Sequence, residues 1–187
     1  MNAQGLYELI YFYQQQTDYS NVIKYTEEFF VDKQFTFDDV NTEKCHLGLD
    51  SVVVRDDFLK EYIYACAYEY HNTQYQEKVY WAYHELSDKV IGVSSCDQSI
   101  KVYYDKTGEI ETCMKLYDKL FDSSDHIVLK RSIAEWKLYF LESNSLDKEL
   151  IQKTRAIFEQ YDELVRADME NSRNNGVSAE EYVSNIK

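Results

Sequence analysis

The chain has 187 residues, of which 34 are acidic and 20 basic, giving a formal net charge of −14. Its hydrophobic content of 44% and aromatic content of 16% exclude a disordered acidic tail, because such tails hold too little apolar surface to fold. The charge repels phosphate backbones and anionic lipid, so we expect no direct binding to nucleic acid or to a membrane.

Location is also predicted from the sequence. No window approaches about 18 uninterrupted apolar residues, the length typical of a membrane span. The first residues lack the basic start and apolar run of a secretory signal. The four cysteines are scattered and form no CxxC pair, which favours free thiols in a reducing compartment. We therefore expect a cytoplasmic protein, in the host cytoplasm if its origin is viral.

The scarcity of turn residues predicts an all-α fold. Proline is absent and glycine occurs five times, whereas strand-rich sandwiches and barrels need turn residues every 8 to 12 positions or so. We expect a single helical domain over residues 1–187.

Two helices are predicted in the N-terminal part. The first covers residues 3–16, where four side chains share one helical stripe: Leu6, Leu9, Ile10 and Tyr13. A polar break at residues 17–21 precedes the second helix, which ends near Gln34. Residues 35–57 are harder to assign. A short helix followed by an extended connection is the main interpretation, and an edge strand at 51–55 is the alternative.

Two helix pairs are predicted in the middle of the chain. Residues 58–71 and 75–91 form the first pair, and residues 92–99 resemble a loop. The second pair surrounds a turn at residues 105–108. A β-hairpin around that turn is the alternative, because Val102-Tyr103-Tyr104 has strand propensity.

Three more helices are predicted towards the C-terminus. They cover residues 125–142, 146–171 and 178–186. The last begins with Ser178 and Glu181 in the spacing of a capping box, in which a serine side chain caps the helix start.

A helix-pair pattern returns every 34 residues. Five residues are matched 34 positions later by five others of similar character: Cys66, Tyr70, Val79, Tyr83 and Leu86, then Ile100, Tyr104, Cys113, Tyr117 and Leu120. A 34-residue period built from two short helices resembles the tetratricopeptide repeat family. The candidate repeats cover residues 3–36, 60–93 and 94–127, followed by a degenerate helix pair at 128–171.

The resemblance to the family is incomplete. The first repeat matches through six residues: Leu6, Leu9, Tyr13, Tyr19, Val22 and Phe29. The family's small residue at repeat position 8 is replaced by Ile10 and Lys101, and its terminal proline is missing throughout. The resemblance implies a tetratricopeptide-like α-solenoid of stacked antiparallel helix pairs. An irregular helical bundle is the alternative fold.

The resemblance also implies a groove that holds other protein chains, lined by the first helix of each pair. Eight residues occupy the family positions that face this groove: Tyr7, Tyr11, Gln14, Gln15, Tyr64, Tyr68, His71 and Asn72. Their hydroxyl and amide groups suit the backbone of an extended peptide. Ordinary packing between helices is the alternative role of each tyrosine.

The sequence carries no motif that predicts a reaction. It lacks phosphate-binding, dinucleotide-binding, zinc-protease, serine-hydrolase and calcium-loop motifs, and its histidines and cysteines form no spaced ligand set. We therefore expect a non-enzymatic module without catalytic residues, metal or cofactor. Its partner is predicted to be a protein or peptide, with a basic partner favoured by the charge.

Two other functions stay open from the sequence. An acidic nucleic-acid mimic would inhibit a nuclease or defence system, as viral or mobile-element anti-restriction and anti-CRISPR proteins do. An exposed aromatic patch would equally suit a homo-oligomer.

Overall fold

The computed structural model describes residues 1–36, 39–40 and 51–184. Over these ranges the chain is helical and contains no strand, which confirms the predicted all-α class. The helices are α1 Ala3–Gln15, α2 Tyr19–Glu27, α3 Ser51–Glu69, α4 Asn72–Glu85, α5 Lys89–Thr107, α6 Ile110–Ser123, α7 Ile127–Ser143, α8 Lys148–Asn174 and α9 Ala179–Ser184. A π-helical turn, Glu28–Asp32, extends α2. None of these helices combines the length and apolar character that crossing a bilayer requires.

The helices from α3 onwards pack in pairs. Loops of a few residues make consecutive helices antiparallel neighbours, as in α3 with α4 and α7 with α8. In addition, α3 packs against α5, α5 against α7, and α4 against α6. Most of these helices therefore contact both their own partner and the equivalent helix of the next pair. This arrangement is compatible with a solenoid and with a helical bundle.

The helix pairs recur every 38 residues, whereas the sequence predicted 34. The first helices begin 38 residues apart, at 51, 89 and 127, and so do the second helices, at 72, 110 and 148. The predicted boundary between residues 93 and 94 therefore falls inside α5, and the predicted start at residue 60 falls inside α3.

One turn of helix explains the difference between the two periods. The periods differ by four residues, and residues four apart lie on the same face of an α-helix. A register displaced by one turn therefore still aligns buried residues with buried residues. In the observed 38-residue register, Phe58, Cys96 and Ala134 are equivalent and all three are buried. Membership of the tetratricopeptide family stays a prediction.

Local signals in the sequence define most helix ends. Asn2, Asp18, Asp88 and Asp147 each precede a helix, and their side-chain oxygens accept hydrogen bonds from backbone N–H groups of the first turn. At the other end of α5, Gly108 adopts a left-handed conformation with φ of 69°, which ends the helix. The turn predicted at residues 105–108 is thus confirmed as the end of a helix, and the hairpin alternative is wrong.

Other predicted segments need correction. Residues 92–99 are helical, because α5 begins at Lys89, and residues 51–55 belong to α3. The predicted helix 75–91 is shorter, since α4 ends at Glu85. Much of the segment 35–57 lies outside the described residues.

The C-terminal helices agree with the sequence. Helices α7, α8 and α9 correspond to the predicted segments 125–142, 146–171 and 178–186, the last two residues of which lie outside the described part. The backbone N–H of Glu181 donates to the Ser178 hydroxyl at 3.1 Å, so Ser178 caps α9 as predicted.

The core divides into two clusters. The larger one runs through α2 to α7 and contains Tyr62, Tyr75 and Tyr103 among its fully buried side chains. The smaller one joins α1 to the start of α3, where the rings of Tyr7 and Phe58 stack at 5.2 Å. The N-terminal helices are therefore fixed to the paired helices mainly through α3.

A carboxylate on α2 reinforces that junction. Glu27 accepts hydrogen bonds from the Tyr62 hydroxyl at 2.6 Å and the Tyr70 hydroxyl at 2.8 Å, and it pairs with Lys78 of α4 at 2.8 Å. Burial raises the pKa of Glu27, but the bonds from Lys78, Tyr62 and Tyr70 outweigh it and hold the pKa below its ordinary value. Glu27 thus connects α2 with α3 and α4.

Candidate functional site

A surface groove lies between α3 and α5. Its volume is about 540 Å³. Three residues of α3 form one wall, and four residues of α5 form the floor and the other wall: Lys60, Glu61 and Tyr64, then Ile91, Ser94, Ser95 and Gln98. The α5 residues recur at spacings of three and four, so they lie on one helical face.

Small polar side chains keep the groove open along α5. The Ser95 hydroxyl donates to the carbonyl of Ile91 at 3.0 Å, so its hydrogen-bonding capacity is partly used within the helix. The side chains of Ser94 and Gln98 make no hydrogen bond within the described part of the chain. Ile91 is 41% exposed and adds an apolar surface at one end. The groove therefore offers both free polar groups and apolar area.

The groove contains one carboxylate without a paired cation. Lys60 is paired with Asp57 one turn earlier, and no ion pair of Glu61 is present among the described residues. The Glu61 side chain reaches solvent, but the concave walls restrict its hydration. Desolvation therefore raises the pKa of Glu61, Lys60 lowers it, and Asp57 adds to the increase. The carboxylate lacks the counter-charge that would stabilise it.

Three tyrosines form a cluster beside the groove. The ring of Tyr19 stacks on Tyr68 with centroids 4.3 Å apart and meets Tyr64 edge-on at 5.9 Å. The hydroxyls of Tyr64 and Tyr68 lie 3.3 Å apart. Their hydrogen bond, followed by desolvation, raises the pKa of Tyr64 to about 12. The cluster is therefore uncharged at neutral pH and presents aromatic surface next to Glu61.

A lysine already occupies part of this cluster. The Lys106 ammonium lies 4.6 Å from the centroid of the Tyr68 ring, and it donates to the Tyr68 backbone carbonyl at 2.7 Å. Tyr68 is thus engaged within the chain, whereas Tyr64 lines the groove.

The four predicted site residues on α1 do not line the groove. Tyr7 is fully buried and stacks on Phe58, so the packing role left open by the sequence is the correct one. Tyr11 and Gln14 are half-buried in the N-terminal part, and Gln15 is exposed. The physical reason is that α1 packs against α2 and the start of α3, at a distance along the chain fold from α5.

The predicted residues on α3 and its loop have different positions. Tyr64 lines the groove and Tyr68 belongs to the adjoining cluster. His71 is exposed in the loop before α4. Asn72 adopts a positive φ of 49°, and its backbone N–H donates to the Tyr103 hydroxyl at 2.9 Å, so it holds the loop against α5. His71 and Asn72 do not line the groove.

The sequence analysis missed most of the groove residues. All four on α5 were assigned to a predicted loop or its margins, although Asp88 is a good N-cap for a helix that contains them. Lys60 and Glu61 were missed because the register displaced by one turn selected other positions of α3.

The described residues also contain no group of three or more His, Cys, Asp or Glu side chains placed to hold a metal ion. Comparisons with known proteins give no relative: no protein-family model, no curated protein and no solved structure matches the chain.

Proposed function

We propose that the protein is a non-enzymatic binding module that holds an extended peptide segment of another protein in the groove between α3 and α5. The observation that supports this function is the presence of unpaired polar side chains in an open groove of about 540 Å³. Ser94, Gln98 and Glu61 have hydrogen-bonding capacity that the fold leaves unused.

The chemistry of the groove suits a peptide backbone. The Gln98 amide both donates and accepts, and so does the Ser94 hydroxyl, which matches the alternating N–H and C=O groups of an extended chain. Ile91 provides apolar contact for a side chain. From Ile91 to Gln98 the helix rises about 10 Å, which corresponds to roughly three residues of an extended peptide.

Selection from a random peptide library displayed on phage tests this function. Ser94→Arg places a long side chain on the groove floor, and Gln152→Arg, at an exposed position of α8, adds the same charge elsewhere. We expect selected peptides to bind Ser94→Arg at least about 10-fold more weakly than the parent, while Gln152→Arg stays within about 2-fold. Equal binding to Ser94→Arg, or no enriched peptide, would contradict the proposal.

The structure gives the acidic-mimic hypothesis less support. Several exposed acids form pairs with basic residues one turn away on the same helix, as Glu111 does with Lys115 and Glu149 with Lys153. Such pairing interrupts the continuous negative charge that a phosphate backbone presents. We therefore favour the peptide-binding function.

A further inference from the structure

We propose that the groove selects peptides with a lysine or arginine side chain, which is held between the Glu61 carboxylate and the ring of Tyr64. This inference rests on the proposed peptide-binding function and names the chemical class of its ligand.

The first support is the charge balance of the groove. Of its lining residues, Lys60 and Glu61 carry charge, and the Lys60 ammonium is already paired with Asp57. The Glu61 carboxylate is the remaining charge without an ion pair among the described residues. A cationic side chain would supply the missing counter-charge, whereas an acidic side chain would be repelled.

The second support is the position of Tyr64. Residues 61 and 64 are three apart on α3 and both line the groove, so the carboxylate and the ring lie on the same face of the helix. An ammonium or guanidinium group beside Glu61 would contact the Tyr64 ring, which attracts cations through its electron-rich face.

The chain uses this contact elsewhere. The Lys119 ammonium lies 4.0 Å from the centroid of the Tyr80 ring, and Lys106 lies 4.6 Å from Tyr68. The groove differs in that it combines a tyrosine ring with a free carboxylate. The net charge of −14 adds a long-range attraction that speeds the approach of cationic peptides.

The test compares paired peptides on paired variants. A peptide selected against the parent protein is synthesised with its basic residue intact and with norleucine or citrulline in that place, which removes the charge and keeps the size. Binding is measured by isothermal titration calorimetry to the parent and to Glu61→Gln. The control is Glu77→Gln, which removes one exposed acid of α4 outside the groove.

We expect Glu61→Gln to weaken the basic peptide about 10-fold and Glu77→Gln to change its affinity less than about 2-fold. The uncharged peptide should bind the parent about 10-fold more weakly and should show no further loss on Glu61→Gln, because the two partners are coupled. Tyr64→Leu should weaken the basic peptide more than the uncharged one.

Two outcomes separate the inference from the function on which it rests. If Ser94→Arg abolishes binding but Glu61→Gln behaves like Glu77→Gln, the groove binds peptides and the preference for a basic side chain is wrong. If Ser94→Arg has no effect, both proposals fail. Circular dichroism of each variant, compared with the parent, verifies that its helices are intact.

Discussion

Removing the Glu27 carboxylate is predicted to weaken the junction between the N-terminal helices and the paired helices. Glu27→Ala removes three bonds at once: those from the hydroxyls of Tyr62 and Tyr70 and that from the Lys78 ammonium. The ring of Trp81 lies 5.5 Å from that of Tyr62, so tryptophan fluorescence reports on this junction directly.

The expected cost follows from the burial of the partners. A hydrogen bond to a charged group contributes about 1.5 to 3 kcal/mol, and breaking a fully buried ion pair costs about 3 to 5 kcal/mol. Glu27 is 24% exposed and Lys78 31%, so water compensates part of the loss. Tyr62 is fully buried, and its hydroxyl would lose its acceptor. We therefore expect the free energy of unfolding to fall by about 3 kcal/mol, or the Tm by roughly 6 to 12 °C.

Urea unfolding followed by both far-ultraviolet circular dichroism and tryptophan fluorescence measures this loss. Tyr62→Phe should cost less than Glu27→Ala, because it removes one of the three bonds. Tyr13→Phe is the control, since the Tyr13 hydroxyl makes no hydrogen bond within the described residues. A cost of Glu27→Ala below about 0.5 kcal/mol, or equal to that of the control, would refute the reasoning.

The same carboxylate predicts a pH dependence. Its pKa in the folded protein lies below the ordinary value of 4.5, so the unfolded chain takes up its proton first as the pH falls. The stabilising contribution is complete above pH 4.5 and disappears as the pH falls through the lowered folded pKa. The stability difference between the parent and Glu27→Gln should therefore be constant at neutral pH and shrink in acid. A difference that stays unchanged in acid would contradict this assignment.

Two further predictions concern the backbone and the thiols. Gly108→Ala should lower the free energy of unfolding by about 1 kcal/mol in urea titrations, because φ of 69° strains any residue with a Cβ although no other atom lies within 4 Å; an unchanged stability would refute this. With Cys45 replaced by serine, Ellman's reagent should modify the remaining thiols only on unfolding, because burial raises the pKa of all three: Cys66, Cys96 and Cys113. Rapid modification of the folded protein would show that these thiols are accessible.

Local signals made much of the fold predictable. The absence of proline, the capping side chains and the left-handed Gly108 are recorded in the sequence and define the helical class and several helix ends. The start of α5 was missed because Gly92 resembles a helix breaker. In the structure, a Cβ at Gly92 would lie 3.0 Å from the Tyr83 ring, so glycine permits close packing of α4 on α5. That contact is tertiary, and the local sequence does not reveal it.

The candidate site was less predictable than the fold. Which helical face is buried depends on register, and a displacement of one turn preserved the hydrophobic pattern while changing which polar residues face the groove. Tyr64 was identified, but Tyr7 was not distinguishable from an exposed tyrosine until its stacking on Phe58 was known. The unpaired state of Glu61 depends on the Lys60–Asp57 pair, which also requires a structure.

A crystal structure of the protein with a library-selected peptide tests the central claim most directly. We predict an extended peptide between α3 and α5, with its backbone bonded to Gln98 and a basic side chain beside Glu61. A peptide bound at another surface, with the groove between α3 and α5 empty, would contradict the account.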